Sequence, residues 1–359
     1  MSKPAKTIVT IVGARPQFIK VAPVSRALRD TGSITEILVH TGQHFDANMS
    51  DVFFDELGIA RPDYNLDVGG GGHGAMTGLM LQRIEPLLQD IRPDAVLIYG
   101  DTNSTLAGAL TAAKLHIPVA HIEAGLRSFN RAMPEEINRV VADHLSELLF
   151  ASTDVAVANL LHEGVDAAKV HHVGDVMYDA ALLFADRAKE RTLLADLGLE
   201  PGRYVLSTLH RAENTDSPQR LGALVAALDR VAQQIPVVLP LHPRTRGAME
   251  RQGLRFERVK TIDPVGYLDM IALESNAAVI ATDSGGVQKE AFFYAVPCVT
   301  LRDETEWTEL IELGWNQLAA PDGPAISEQI LSAVGRKGTE AFPYGNGDAA
   351  RLIAEKLAG

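Results

Sequence analysis

The stretch that decides the fold is ATDSGGVQKE, at residues 281–290. It follows the apolar run 277–280 and precedes Ala291, so it predicts a buried strand, a Ser-Gly-Gly turn and a helix. Such a turn presents backbone N–H groups at a helix N-terminus, where anions and above all phosphate bind. Glu290 lies further along the same helix and could accept hydrogen bonds from ribose hydroxyls. Taken alone, the two glycines could equally serve only to relieve crowding between strand and helix.

Length and composition narrow the class of protein. The chain has 359 residues, enough for two domains with sizeable cores, and it is 46% hydrophobic but only 6% aromatic, as is typical of α/β proteins. A net charge of -13 disfavours nucleic acid and anionic membranes as partners. The single cysteine, Cys298, excludes an internal disulfide and a cysteine-cluster metal site. With no signal-peptide core and no membrane-spanning run, we expect a soluble, cytoplasmic protein.

Apolar strands alternate with helical stretches in both halves of the chain. Near-continuous apolar strands separated by helices predict an α/β fold with parallel, doubly wound sheets. A polar helical stretch at 181–198 separates the halves. We therefore predict a first domain at 1–180, a second at 181–344, and a C-terminal helix at 345–359 that packs back on the first domain.

The predicted strand ends are unusually polar. Arg15 and Lys20 follow the first strand. The planar guanidinium of Arg15 can bind phosphate oxygens through two N–H groups and the ammonium of Lys20 adds a compact positive charge, so both fit a sugar-diphosphate ligand. Acids, cations and histidines also follow later strands, at Asp101, Glu123, Arg127, Glu136, His210, Arg211, His242, Arg244 and Arg246. Because ligands of open α/β sheets bind beyond the carboxyl ends of the strands, this coincidence predicts one cleft faced by both sheets.

Several of these residues also have a purely structural interpretation. Asp101 could merely cap the following helix. Glu136 stands in a first helical turn, where acids favour the helix dipole, and Lys20 alone is typical of a solvated helix surface. His121 is one of several histidines that we interpret as structural or surface residues.

The order and spacing of six segments resemble the non-hydrolysing UDP-N-acetylglucosamine 2-epimerase family. The segments are residues 13–20 (GARPQFIK), 100–102 (GDT), 121–127 (HIEAGLR), 134–139 (PEEINR), 210–211 (HR) and 282–286 (TDSGG). The resemblance covers nearly the whole chain. It implies a glycosyltransferase-B-type architecture of two Rossmann-like domains, with UDP held mainly by the second.

The resemblance also implies a chemistry, in which the C2 proton of a UDP-sugar is removed as UDP leaves C1, and UDP then re-adds while C2 is reprotonated on its other face. The acid/base candidates are Asp101, Glu123 and Glu136, with His210 as a fourth catalytic group; which carboxylate takes the proton and which returns it stays open. The implied substrate and UDP ligands are Arg15, Lys20, Gln43, Arg211, His242, Ser284, Gly285, Gly286, Glu290 and Arg302. No metal and no cofactor is expected, and the expected partners are the UDP-sugar and a second copy in a homodimer.

Departures from the common family pattern leave the substrate open. Asp46 and the glycine run at 69–72 replace residues of the family's activator site, so we expect no activation by UDP-N-acetylglucosamine. Trp307-Thr308 stands where the family often has Arg-Pro, and Arg244 and Arg246 could face a carboxylate at C6 of the sugar. These features resemble relatives that act on UDP-2,3-diacetamido-2,3-dideoxyglucuronate. An alternative function from a different class is a UDP-sugar glycosyltransferase of the same fold, because fold alone does not determine function. A non-catalytic nucleotide-sugar sensor is the third and last alternative.

Overall fold

The computed structural model describes residues 5–43, 54, 57–321 and 325–359. The chain divides into two compact units: unit 1 is Met1–Leu183 with Phe342–Gly359, and unit 2 is Phe184–Ala341. The boundaries taken from the sequence pattern, 180 and 344, compare with 183 and 341 here. Each unit has its own parallel sheet and its own buried core.

Unit 1 is built on a parallel sheet. Its described strands are β1 (Lys6–Val12), β2 (Ile34–His40), β3 (Tyr64–Asn65), β4 (Ala95–Tyr99), β5 (Val119–Ala124), β6 (Leu148–Ala151) and β7 (Val170–His172). They lie in the order β3-β2-β1-β4-β5-β6-β7, and every pairing is parallel. The central strands β1 and β4 are rich in buried Val, Ile and Leu, as is typical of a parallel sheet that helices cover on both faces. The chain order reverses between β1 and β4, which is where an open α/β sheet binds its ligand.

The helices of unit 1 follow the strands as the periodicity predicts. Those described are α1 (Arg15–Asp30), α2 (His73–Ile91), α3 (Asn103–Lys114), α4 (Pro134–Leu145) and α5 (Asp154–His162), with a 3-10 turn at Ala167–Lys169. The next helix, α6 (Val176–Lys189), begins in unit 1 and ends in unit 2. In the core between α2 and the sheet, Ile84 and Leu88 are fully buried with Ile11 and Ile98. Burying each such side chain contributes about 1.5–3 kcal/mol, which docks the helices against the strands.

Unit 2 repeats the design with a smaller sheet. Its described strands are β8 (Val205–Thr208), β9 (Val237–Pro240), β10 (Lys260–Ile262), β11 (Val279–Thr282), β12 (Cys298–Thr300) and β13 (Asn316–Leu318), in the order β10-β9-β8-β11-β12-β13. Its helices are α7 (Leu193–Asp196), α8 (Ala212–Thr215), α9 (Pro218–Val231), α10 (Pro243–Gln252), α11 (Tyr267–Ser275), α12 (Gly285–Phe293), α13 (Thr308–Glu312) and α14 (Ile326–Ala333). The chain order reverses between β8 and β11, which are direct neighbours. The stretch 181–198, predicted as one helix, instead contains the end of α6 and the separate short helix α7.

The last helix, α15 (Ala349–Ala358), belongs to unit 1, where it packs against α1. Lys6 Nζ donates to Leu357 O over 3.0 Å at its C-terminal end. At its N-terminal end the Asp179 carboxylate accepts the backbone N–H groups of Ala349 and Ala350, at 3.3 and 2.8 Å. These contacts satisfy helix-end groups that have no partner inside the helix.

Candidate active site

Asp101 lies at the carboxyl end of β4. Gly100, at φ +57°, turns the chain out of the strand in a conformation that favours glycine. Thr102, not Asp101, caps α3, because the Thr102 hydroxyl accepts the N–H of Thr105. Asp101 Oδ2 accepts instead from Nε and Nη2 of Arg139, at 3.1 and 2.5 Å. Burial raises the pKa of Asp101, partly offset by the Arg139 guanidinium.

Glu123 lies at the end of the neighbouring strand β5 in a strained conformation. Its φ is +71°, and the pairing of β5 with β6 shifts register between Ile122 and Ala124. A positive φ at a residue with a side chain costs of order 1–3 kcal/mol, and bulges beside sites commonly re-aim a side chain. Glu123 Oε2 accepts a hydrogen bond from the Lys20 ammonium, and a Cβ placed on Gly100 would come within 3.1 Å of the same oxygen. The carboxylate therefore lies over the turn that carries Asp101.

Glu136 lies in the first turn of α4 and is almost fully buried. Its Oε2 accepts the N–H and hydroxyl of Ser128, both at 2.9 Å, and Arg139 Nη1 at 3.0 Å, while its Oε1 accepts the N–H of Phe129 at 3.0 Å. Arg139 thus bridges Glu136 and Asp101. Arg139 was not among the predicted site residues, although its three-residue spacing from Glu136 on one helix face is a signal that could have found it.

The remaining predicted residues of unit 1 have different surroundings. Lys20 is buried and paired with Glu123, which neutralises the cation that we predicted for a diphosphate. Gln43 Oε1 accepts the backbone N–H and the hydroxyl of Ser104, at 3.1 and 2.8 Å, at the start of α3. Arg15 opens α1, but its side chain lies outside the described part of the structure, as does Asp46.

In unit 2, a buried carboxylate that the sequence analysis did not select organises the turn after β8. Asp283, fully buried at the end of β11, accepts the backbone N–H of His210 at 3.1 Å and that of Arg211 at 3.0 Å. It also accepts the Asn214 amide at 3.1 Å, and His210 Nδ1 lies 3.3 Å from its Oδ1. The signal was its position directly before the Ser-Gly-Gly turn. Asp283 thereby fixes both the backbone and the ring of His210.

The Ser-Gly-Gly turn, which we predicted to bind an anion, lies at the start of α12. Ser284 is the N-cap residue, and Gly285 and Gly286 open the helix. A Cβ on Gly285 would lie 2.5 Å from Glu306 Oε1, so a side chain here would displace the Glu306 carboxylate. Glu306 Oε2 accepts from Arg302 Nη1 at 2.8 Å, and Arg211 Nη2 lies 3.8 Å from Oε1. Burial raises the pKa of Glu306, but Arg302 and Arg211 outweigh it and hold that pKa below its usual value.

Glu290 lies one turn further along α12 and is buried. Behind it lies Glu274, which is fully buried and has no hydrogen-bond partner for either carboxylate oxygen among the described residues. Burial, together with the charge of Glu290, raises the pKa of Glu274 well above its usual range. This environment favours the protonated form of Glu274, which limits the negative charge beside Glu290.

His242 lies beside His210, with the two ring centroids 5.9 Å apart. It caps α10, because its Nδ1 accepts the backbone N–H of Arg244 at 3.2 Å. Arg244 is paired with Asp216 at 2.8 Å, and Arg246 with Asp263 at 2.9 Å. Both arginines predicted to face a sugar carboxylate are thus engaged by aspartates of the same unit.

Across the described ranges, no group of three His, Cys, Asp or Glu side chains is placed to hold a metal ion. None of the helices in this part of the chain is both long and apolar enough to cross a membrane.

Known proteins match the chain over almost its full length. A family model described as UDP-N-acetylglucosamine 2-epimerase matches residues 26–358. The chain is 56% identical to UDP-2,3-diacetamido-2,3-dideoxy-D-glucuronate 2-epimerase of Pseudomonas aeruginosa, over 98% of this chain and 99% of that protein. It resembles the crystal structure of Methanocaldococcus jannaschii UDP-GlcNAc 2-epimerase in complex with UDP-GlcNAc and UDP, with TM-score 0.88, 41% identity and 99% coverage of both chains. The Neisseria meningitidis UDP-GlcNAc 2-epimerase bound to UDP-GlcNAc gives TM-score 0.89 at 31% identity, over 98% of this chain and 99% of that one.

Proposed function

Because the chain belongs to the UDP-N-acetylglucosamine 2-epimerase family and is therefore an isomerase, we propose that it inverts C2 of a UDP-sugar by elimination and re-addition of UDP. The expected glycosyltransferase-B-type fold, with a Rossmann-like sheet in each unit, is confirmed by the similar solved structures. The observation that carries the mechanism is the grouping of Asp101, Glu123 and Glu136 around Arg139 and Lys20 at the strand ends of unit 1.

The elimination transfers the C2 proton to a base while the C2–H electron pair forms the C1–C2 double bond and the C1–O bond to UDP breaks. In the return step, a diphosphate oxygen of UDP adds to C1 and C2 takes a proton on its other face. We assign the base to Glu123, because the Lys20 ammonium favours its carboxylate form. We assign the acid to Asp101, the carboxylate on the turn beside Glu123, because it lies across from the assigned base and because burial raises its pKa even though Arg139 opposes this. Glu136, held by four donors, orients Arg139.

Unit 2 is proposed to bind the UDP part of the substrate. The backbone N–H groups of Ser284, Gly285 and Gly286 at the start of α12 supply donors for the leaving diphosphate, which carries negative charge as C1–O breaks. His210 and Arg211, fixed by Asp283, add donors on the neighbouring turn. Glu290, Arg302 and His242 complete the proposed set, with Glu290 on the ribose.

For the substrate, we propose UDP-2,3-diacetamido-2,3-dideoxyglucuronate in preference to UDP-N-acetylglucosamine. The support is the greater similarity to the Pseudomonas aeruginosa enzyme, 56% identical, than to the UDP-N-acetylglucosamine 2-epimerase of Methanocaldococcus jannaschii, 43% identical. Arg244 and Arg246 add no support, because aspartates engage both.

One experiment tests reaction and substrate together. The protein is incubated with each of the two UDP-sugars in deuterated water, and C2 is followed by NMR. We expect deuterium at C2 of both epimers, hyperbolic kinetics without UDP-N-acetylglucosamine activation, and the higher kcat/KM on the diacetamido-glucuronate. Epimerisation without deuterium uptake would contradict the elimination route, and sigmoidal turnover of UDP-N-acetylglucosamine alone would contradict the substrate assignment.

The proposal includes assembly and location. We propose a homodimer, the commonest symmetric assembly of soluble proteins, and a cytoplasmic protein that needs no metal or cofactor. Light scattering on the purified protein should give twice the mass of one chain, and activity should be unchanged by a chelator. Cell fractionation tests the location.

A further inference from the structure

His121 has a fully buried side chain in the middle of β5, and both of its ring nitrogens contact oxygen acceptors. Nε2 lies 2.7 Å from the carbonyl oxygen of Gly100, and Nδ1 lies 2.7 Å from Asp143 Oδ1. A carbonyl oxygen has no proton to give, so Nε2 must donate there. The ring therefore joins the end of β4 to helix α4 by two short hydrogen bonds.

Asp143 extends this connection. Its second oxygen, Oδ2, accepts the backbone N–H of Gly125 at 3.0 Å and Arg127 Nη1 at 2.7 Å. Arg127 in turn forms a two-pronged pair with Glu163, at 2.7 and 2.8 Å. The side chains of His121, Arg127 and Asp143 are at most 1% exposed, so this is a buried charged network. We call His121, Asp143, Arg127 and Glu163 together the His121 network.

The His121 network contacts the backbone on both sides of the proposed acid/base pair. Gly100, which His121 binds, directly precedes Asp101. Gly125, which Asp143 binds, follows the bulge in which Glu123 has its strained positive φ. Asp143 also lies on the same helix, α4, as Glu136 and Arg139, at spacings of seven and four residues that place all three on one face. One network thus touches the turn, the bulge and the helix that carry the three carboxylates.

Stability alone does not account for such a network. Replacing a buried ion pair by well-packed apolar side chains is often neutral or stabilising, because burying charges carries a large desolvation cost. A strained residue such as Glu123 persists only where its surroundings hold it in place. The network supplies hydrogen bonds on the two strand ends where that support is required.

We propose that His121 is a positioning residue, which through Gly100 and Asp143 sets the separation of the Asp101 and Glu123 carboxylates. The inference rests on the proposed epimerase function and deepens it, because it adds a residue that contacts no substrate. A misplacement of about 1 Å in catalytic groups can cost about a hundredfold in rate.

Two substitutions separate the two contacts. His121→Gln places an amide near the position of Nε2 and can keep the donor to Gly100, whereas His121→Asn places it near Nδ1 and can keep the donor to Asp143. Each variant loses one contact, so we expect kcat to fall roughly ten- to a hundredfold in both. KM and the dissociation constant of UDP should stay within about threefold, because binding of UDP is assigned to unit 2. The double variant His121→Gln with Asp143→Asn should cost little more than Asp143→Asn alone, as expected for residues that act as a unit.

The matched control is Asp229→Ala in unit 2, which removes a carboxylate that accepts the backbone N–H groups of Glu257, Arg258 and Val259. It should lower the urea midpoint without changing kcat. Should the His121 variants fail to fold, Asp143→Asn carries the same test. A kcat within twofold of wild type in folded variants would overturn the proposal, and so would KM and UDP affinity that worsen as much as kcat.

A second readout does not depend on activity. With 13C-labelled Asp carboxyl groups, the Asp101 resonance should titrate at a changed pH in both His121 variants and at the wild-type pH in Asp229→Ala, because the nearby Glu123 charge contributes to the pKa of Asp101. Unchanged titration of Asp101 in both variants would overturn the positioning role. If the wild-type protein epimerises no UDP-sugar, the proposed function fails, and this titration alone then decides the role of His121.

Discussion

Replacing Asp283 by alanine should loosen the turn that carries His210 and Arg211. In the native structure the carboxylate accepts the two backbone N–H groups of that turn and the Asn214 amide, and all three contacts are 3.0–3.1 Å long. Each donor left without a partner costs about 1–3 kcal/mol. The lower value for each of the three donors gives about 3 kcal/mol in total.

Asp283→Asn serves as the matched control. An asparagine can keep its oxygen where Oδ2 is, and Oδ2 contacts all three donors. The loss of charge should then cost about 1 kcal/mol. Urea denaturation of the full chain, followed by circular dichroism, measures both free energies of unfolding.

UDP binding provides the functional side of the same test. Calorimetry should show at least a tenfold weaker dissociation constant for UDP in Asp283→Ala, because the His210 and Arg211 backbone is no longer held beside α12. An alanine variant within 0.5 kcal/mol of wild type, well under the ~3 kcal/mol expected, and with unchanged UDP affinity would refute the reasoning.

Three other perturbations have expected outcomes. Burial raises the pKa of Asp179 to about 6 in the folded protein, so the folded state binds more protons than the unfolded state between about pH 4 and pH 6. Protonated Asp179 therefore adds stability at pH 4 that is lost as the pH rises to 6. The urea midpoint of the wild type, minus that of Asp179→Asn, should decrease from pH 4 to pH 6, and a difference that does not change with pH would contradict the assignment. Gly285→Ala should displace Glu306 and weaken UDP binding about tenfold or more, the scale of one charge-assisted hydrogen bond, and unchanged calorimetry would show that the turn tolerates a Cβ. Lys20→Met should lower kcat about a hundredfold with UDP affinity kept, if Lys20 holds Glu123 as the base; a loss of UDP affinity with normal kcat would return Lys20 to the predicted diphosphate role.

Much of the fold follows from local patterns in the sequence. The apolar runs before Gly13, Gly100 and Asp283 form the strands β1, β4 and β11. Such runs indicate strands of a parallel sheet, because helices bury both faces of that sheet. The pattern missed the short edge strands β3, β7 and β13, whose polar residues give no apolar period. It also merged α6 and α7 across 190–192, because helix periodicity alone does not reveal a short break.

What the sequence determined by itself is the set of polar residues at strand ends, including Asp101, Glu123 and the Ser-Gly-Gly turn. In a parallel sheet all carboxyl ends meet at one edge, so these positions follow from strand order and periodicity. Only the tertiary structure decided the partners of those residues. Lys20 reaches Glu123 across 103 positions, and Asp283 reaches the His210 turn across 73. Such contacts depend on the register between strands and the docking of helices, which no local pattern encodes. For the same reason His121 looked like an ordinary core histidine until Gly100 and Asp143 were seen on either side of its ring.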